Sequence, residues 1–129
     1  MARLLLISTD NAVAGLARAL HSDHGHHTVL VASAAQALEL LRPGGFDIVV
    51  VDGELPRRQA VALVAALRAS STYKGVPVIG LVGVDVTADG LLTVGAERVV
   101  KKPVDGPGFS RSLESVLCQA ARAANPDPG

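Results

Sequence analysis

The sequence is poor in aromatic residues and has no excess of positive charge. Its 129 residues include no tryptophan, one tyrosine and two phenylalanines. Proteins that bind single-stranded nucleic acid stack bases on aromatic side chains, so that platform is missing. Lys and Arg together number 12, as do Asp and Glu, so no basic surplus is available for phosphate backbones. We therefore expect no direct nucleic-acid partner.

Cysteine and long apolar runs are scarce as well. The single cysteine, Cys118, rules out an internal disulfide framework, and its helical context predicts a reduced, partly buried thiol. A reduced thiol is typical of a cytoplasmic protein. The first apolar run, Leu4 to Ile7, is too short for a membrane span or the core of a signal peptide. We expect a cytoplasmic location and no membrane partner.

What the sequence does contain is a regular alternation of apolar runs and helical patterns. Most of the runs are continuous, which is typical of parallel strands covered on both faces. The alternation predicts an α/β, flavodoxin-like doubly wound fold, with a five-stranded parallel sheet in the order 2-1-3-4-5 and helices on both faces. The five predicted strands are residues 3–8, 28–32, 48–52, 76–82 and 98–101.

Capping residues mark where the helices begin. Asp10 is a candidate cap for the first helix, and Ser33 with Gln36 forms a capping-box pattern at the second. The fourth helix, from about Thr87 to Val94, contains a glycine and is predicted to be short. We expect one domain over residues 1–123 and a flexible tail over 124–129.

Polar residues stand where the predicted strands end. Asp52 ends the third strand, and Lys102 follows the fifth. In a doubly wound sheet, ligands bind beyond the carboxyl ends of the strands, near the point where the strand order reverses. Asp52 and Lys102 are therefore predicted to converge there.

Two segments around these residues resemble the receiver domain of two-component response regulators. Phe46 to Pro56 looks like the phosphoacceptor strand with its following Leu-Pro, and Gly95 to Pro103 looks like the last strand with its Lys-Pro end. The resemblance extends from Arg3 to about Ala123. It implies a signalling domain rather than an enzyme, with Asp52 as the phosphoacceptor candidate and Lys102 as the residue that stabilises the phosphoryl charge.

Several positions depart from the family pattern. The acidic pair that follows strand one in the family falls on Ser8 and Thr9, or on Thr9 and Asp10 if the register shifts by one residue. The hydroxyl position of strand four falls on Val82, and the aromatic position of strand five falls on Val99. In the family, that hydroxyl bonds the phosphoryl group and that aromatic side chain swings inward in response. The resemblance therefore predicts a degenerate pocket that lacks both of these side chains.

These departures weaken the expected metal site. Mg²⁺ would depend on Asp52, on Asp10 in the shifted register, on a backbone carbonyl near Glu54 and on water. We expect no cofactor, and Mg²⁺ only if the domain accepts a phosphoryl group. The predicted resting state is an ion pair between Asp52 and Lys102, with Glu54 a solvated loop acid.

The sequence thus favours a receiver-like domain that works through protein–protein contacts and without phosphorylation. The expected partner is a histidine kinase or a downstream signalling protein, and two copies could pair through helix four and strand five. One alternative is a working receiver that is phosphorylated on Asp52. Another is a small cofactor-binding protein of the flavodoxin fold, although residues 8–14 lack the glycine of a phosphate-binding loop. A further alternative is that the chain is one domain of a longer protein.

Overall fold

The computed structural model describes residues 3–41, 45–71, 73, 75–83 and 88–124. Five strands form one parallel sheet in the order β2-β1-β3-β4-β5, which confirms the predicted topology. The strands are β1 (Arg3–Ile7), β2 (His27–Val31), β3 (Ile48–Asp52), β4 (Val78–Val82) and β5 (Arg98–Lys101).

Helices connect the strands. They are α1 (Asn11–His24), α2 (Ala34–Leu40), a 3₁₀ turn (Pro56–Arg58), α3 (Gln59–Ala69), α4 (Ala88–Val94) and α5 (Gly106–Ala124). α4 has seven residues, so it is short as predicted, and Thr87 lies outside the described residues. α5 continues one residue into the predicted tail, and residues 125–129 also lie outside the described part of the chain.

The sheet separates two apolar layers, because successive side chains of a strand point to opposite faces. Leu5 and Val49 face the layer that α2, α3 and α4 cover. Leu4 and Ile48 face the layer that α1 and α5 cover, where Phe109 is fully buried. The continuous apolar runs of β1, β3 and β4 are explained by burial on both faces.

The element boundaries differ from prediction by one or two residues. β1 ends before Ser8, and β2 lies one residue earlier than predicted. β4 begins at Val78 rather than Val76, since Pro77 has no N–H with which to extend the ladder. The two predicted helix caps are confirmed: Asp10 accepts a hydrogen bond from Ala12 N at 2.9 Å, and Ser33 accepts one from Gln36 N at 3.2 Å.

The prediction of a partly buried Cys118 is wrong, because the residue is exposed. α5 buries Phe109, Leu113 and Val116 at spacings of three and four residues. Cys118 lies two positions beyond Val116 and therefore points away from this stripe. No helix among the described residues is long and apolar enough to cross a membrane.

Arg68, in the last turn of α3, ties together the amino ends of β4 and β5. Its guanidinium donates to Gly95 O at 3.0 Å, to Val76 O at 2.6 Å and to the two carboxylate oxygens of Glu97 at 2.9 and 2.7 Å. Glu97 Oε2 also accepts a hydrogen bond from Val78 N at 2.7 Å. Arg68 therefore joins the loops that lead into β4 and β5 through two backbone carbonyls and one carboxylate.

Candidate functional site

The site lies at the opposite edge, where the carboxyl ends of the parallel strands meet. Asp52 is the last residue of β3 and pairs in register with Leu81 of β4. Lys102 follows β5, and its backbone N–H donates to Val82 O at 2.8 Å, so its position beside the end of β4 is fixed by main chain. The peptide bond between Lys102 and Pro103 is cis. The predicted convergence of Asp52 and Lys102 follows from this topology.

Both carboxylate oxygens of Asp52 accept hydrogen bonds. Oδ2 accepts from Ser8 Oγ at 2.6 Å and from Lys102 Nζ at 2.8 Å, while Oδ1 accepts from Glu54 N at 2.9 Å. Asp52 is only 2% exposed. A buried carboxylate needs such donors, because burial without them would cost several kcal/mol, as an order of magnitude.

Lys102 Nζ is shared by three carboxylates. It lies 2.8 Å from Asp10 Oδ2, 2.8 Å from Asp52 Oδ2 and 3.2 Å from Glu54 Oε1, and its side chain is 13% exposed. Burial disfavours the charged ammonium, but the hydrogen bonds to the three carboxylates outweigh this and raise the pKa of Lys102. The site therefore contains one ammonium group and three carboxylates.

Asp10 is the carboxylate that the sequence assigned to the site only in the shifted register. Its Oδ1 caps α1 and its Oδ2 accepts from Lys102 Nζ, whereas Thr9 is exposed. The hydrogen bonds from Lys102 and from Ala12 N hold the pKa of Asp10 below its usual range. The buried Ser8 hydroxyl accepts a hydrogen bond from Asp10 N at 3.0 Å. The structure thus brings together Ser8 and Asp10, which is neither of the two pairs that the sequence suggested.

Glu54 contributes more to the site than the sequence indicates. Its side chain is 47% exposed, yet its carboxylate pairs with Lys102. The same carboxylate packs against the backbone of Gly83, where a Cβ atom would overlap with it. The signal for this arrangement is the spacing: Glu54 lies two residues after Asp52 in a tight turn, and its own N–H donates to Asp52 Oδ1.

The two remaining predicted positions belong to the apolar core. Val82 is buried and Val99 is half-buried, and both pack in the layer covered by α2, α3 and α4. Neither side chain carries a hydrogen-bonding group. At these two positions the structure supplies no donor for an oxyanion at the strand ends.

In the observed arrangement, carboxylate oxygens that could hold Mg²⁺ are bonded to Lys102. This ion prefers oxygen ligands in near-octahedral geometry, which Asp10 and Asp52 could supply in part. However, the Oδ2 atoms of both residues converge on the Lys102 ammonium, so a metal ion at that point would meet a positive charge. Among the described residues, no group of three or more His, Cys, Asp or Glu side chains is arranged to hold a metal ion.

Known proteins share this fold and sequence pattern. Residues 4–113 match the model of the response regulator receiver domain. The polar-differentiation response regulator DivK of Brucella ovis is 26% identical over 93% of this chain and 100% of its own. The chemotaxis response regulator CheY4 of Vibrio cholerae superposes with a TM-score of 0.76 at 22% identity, covering 90% of this chain and 98% of that one.

A second solved structure is the receiver domain of the sensor histidine kinase PA1611 from Pseudomonas aeruginosa. It superposes with a TM-score of 0.77 at 21% identity, covering 91% of this chain and 98% of that one. That structure has a magnesium ion coordinated in its active site cleft. The likeness to these two structures concerns the fold.

Proposed function

Since this chain belongs to the response regulator receiver domain family of two-component signalling, we propose that it transmits its signal by binding a protein partner without being phosphorylated. The observation that carries the proposal is the position of the Lys102 ammonium, 2.8 Å from both Asp10 and Asp52. An internal cation thus lies between the two carboxylates that would otherwise hold a metal ion. The domain acts by recognition rather than by catalysis.

The hydrogen bonds of Asp52 support this proposal. A carboxylate oxygen attacks phosphorus through a lone pair, and both oxygens of Asp52 already accept strong hydrogen bonds. These bonds occupy three of the roughly four lone-pair positions of the carboxylate, so attack is left to the remaining position, on Oδ1, in a buried site. Charge-assisted bonds of this kind are about twice as strong as neutral ones, so Asp52 is a poor nucleophile as it stands.

The surroundings of Asp52 offer little to stabilise a transferred phosphoryl group. Catalysis of phosphoryl transfer depends on donors and cations aimed at the equatorial oxygens. Val82 provides an apolar side chain in the core, and Glu54 places a negative charge beside Lys102. An incoming phosphoryl group would be repelled by Glu54 and would compete with three carboxylates for Lys102.

The proposed partner is a histidine kinase or a downstream signalling protein, and a second copy of the chain could use α4 and β5. Leu92 on α4 has 46% of its surface exposed and would contribute one apolar side chain to such a contact. The exposed free thiol of Cys118 supports a cytoplasmic location for the domain.

The test is intact-mass analysis after incubation with acetyl phosphate and Mg²⁺. We expect the parent protein to gain no phosphoryl mass, in parallel with an Asp52→Asn variant that keeps the shape of the side chain. A phosphorylatable receiver domain run alongside confirms that the phosphodonor is active.

A working receiver phosphorylated on Asp52 is the second candidate. It is favoured by the buried position of Asp52 at the carboxyl end of β3, and by Asp10 as a second carboxylate nearby. An adduct on the parent that is absent from the Asp52→Asn variant would establish this candidate and overturn the proposal.

A further inference from the structure

A cleft opens beside the ion pair and is not used by the function proposed above. It lies between the first turns of α1 and the connection from β5 to α5, and its volume is about 420 Å³. This volume is at the lower end of the range of small-ligand pockets, roughly 300–1,000 Å³. The cleft is large enough to enclose one long side chain.

The two ends of the cleft differ in character. Val13 and Leu16 of α1 and Val104 after β5 form an apolar end that continues the layer covered by α1 and α5. Asp10 and Glu54 line the other end together with Lys102. A ligand that fits both ends has an aliphatic part and a charged tip.

The sign of the charged tip follows from the groups around it. Lys102 is paired with both lining carboxylates and with Asp52 beneath them, so negative charges outnumber positive ones. An anionic tip would be repelled, and a neutral apolar tip would remove water from carboxylates without replacing their hydrogen bonds. A cationic tip is the complementary choice.

We propose that the cleft receives a lysine or arginine side chain of the protein partner, with its methylene stem against Val13, Leu16 and Val104 and its cationic head against Asp10 and Glu54. Lysine and arginine combine an aliphatic stem with a charged head in this way. The inference rests on the proposed function, since it names the chemistry by which a protein partner is recognised.

The probe is a pair of peptides that differ in one charged group. Ac-Ala-Ala-Lys-Ala-Ala-NH₂ carries the stem and the ammonium, whereas the norleucine peptide carries a stem of similar shape without charge. Each is titrated into ¹⁵N-labelled protein at low salt, without Mg²⁺ or phosphodonor, and amide shifts are followed by NMR. We expect saturable shifts at Val13, Leu16 and Val104 with the lysine peptide, and affinity about tenfold weaker with norleucine.

Two variants locate the binding. Glu54→Gln removes one carboxylate of the cleft from a half-exposed side chain, and we expect it to weaken the lysine peptide several-fold. Glu114→Gln removes an exposed carboxylate of α5 that does not line the cleft, and we expect no change.

Three results would overturn the inference. They are equal shifts with the two peptides, shifts confined to residues outside the cleft, and binding of free n-butylammonium where the lysine peptide does not bind. The last result would assign the cleft to a small amine. A phosphoryl adduct on Asp52 in the mass experiment would contradict the proposed function while leaving this titration intact, so the two failures are distinguishable.

Discussion

Each edge of the sheet carries a cation that is paired with at least one carboxylate, and the two sites are built differently. At the amino edge, the Arg68 guanidinium bonds to the backbone carbonyls of Gly95 and Val76 and to both oxygens of Glu97. At the carboxyl edge, the acceptors of the Lys102 ammonium are three carboxylates on side chains. Backbone acceptors are fixed by the fold, whereas side-chain acceptors can turn away. The amino edge is therefore suited to holding the fold together. At the carboxyl edge, the carboxylates can leave Lys102 and bond to other groups.

The largest effect is expected at the amino edge. Arg68→Ala removes the bonds to Gly95 O and Val76 O and leaves Glu97 without its cation. We expect the free energy of unfolding to fall by about 3 kcal/mol, measured by urea denaturation. Arg111→Ala, at an exposed position on α5, should change it by less than about 0.5 kcal/mol. Similar losses in the two variants would show that Arg68 does not stabilise the amino edge of the sheet.

A smaller loss is expected from Lys102→Met. The variant leaves the buried Asp52 carboxylate without its cation, which should lower the free energy of unfolding by about 2 kcal/mol at pH 7. The double variant Lys102→Met/Asp52→Asn removes both charges and should recover most of that loss in the same denaturation assay. If the double variant is less stable than the single one, the charge of Asp52 is not the cause.

A carboxylate can be introduced at position 8 to test the comparison further. Ser8→Asp adds a carboxylate beside Asp52 in place of a hydroxyl donor, so we expect about 1 kcal/mol of destabilisation without metal. Millimolar Mg²⁺ should reverse this loss in a thermal unfolding assay, because an ion that binds only the folded state stabilises it. Thr93→Asp, on the exposed side of α4, is the control and should not respond. An equal response to Mg²⁺ in both variants would point to a general salt effect.

The smallest expected effect is on the pH dependence of stability. The folded pKa of Asp10 is lowered, so its charge stabilises the fold above the ordinary value of 3.8, and this contribution disappears as the pH falls through the lowered pKa. The Asp10→Asn variant keeps a side chain able to cap α1 and removes only the charge. We expect it to melt slightly below the parent at pH 7, and we expect this gap to narrow as the pH falls below 3.8. Because 35% of the Asp10 side chain is exposed, solvent screens most of the interaction.

The charge of Lys102 also stabilises the fold, but this contribution is lost at alkaline rather than acidic pH. Its folded pKa is raised, so its contribution is complete below the ordinary value of 10.5 and is lost as the pH rises through the raised pKa. A gap between the parent and Asp10→Asn that widens on acidification would contradict the assignment of the Asp10 shift to Lys102.

Most of the fold could be predicted because it depends on local patterns. Continuous apolar runs alternating with helical periods fix the parallel sheet, and the handedness of the crossovers fixes the strand order. The topology then brings Asp52 and Lys102 together without any knowledge of side-chain geometry. The errors at Ser8 and Val76 concern the ends of strands. Ser8 lies just beyond the end of β1, where its hydroxyl bonds to Asp52, and Pro77 prevents β4 from beginning at Val76.

The details of the site could not be predicted in the same way. Asp10 reaches Lys102 because it also caps α1, which turns its carboxylate toward the sheet edge. Glu54 reaches the same ammonium because the turn after β3 folds back over Asp52. Both contacts depend on turn geometry and rotamers, and neither leaves a periodic trace in the sequence.

The close approach of Glu54 to Gly83 links two positions that are far apart in the chain. A Cβ atom at residue 83 would overlap with the Glu54 carboxylate, so any larger residue there requires a shorter or redirected side chain at position 54. The overlapping atoms are the far end of a half-exposed side chain, which can move at little cost. An alanine at position 83 would therefore turn the Glu54 carboxylate aside and leave Lys102 with two carboxylates instead of three.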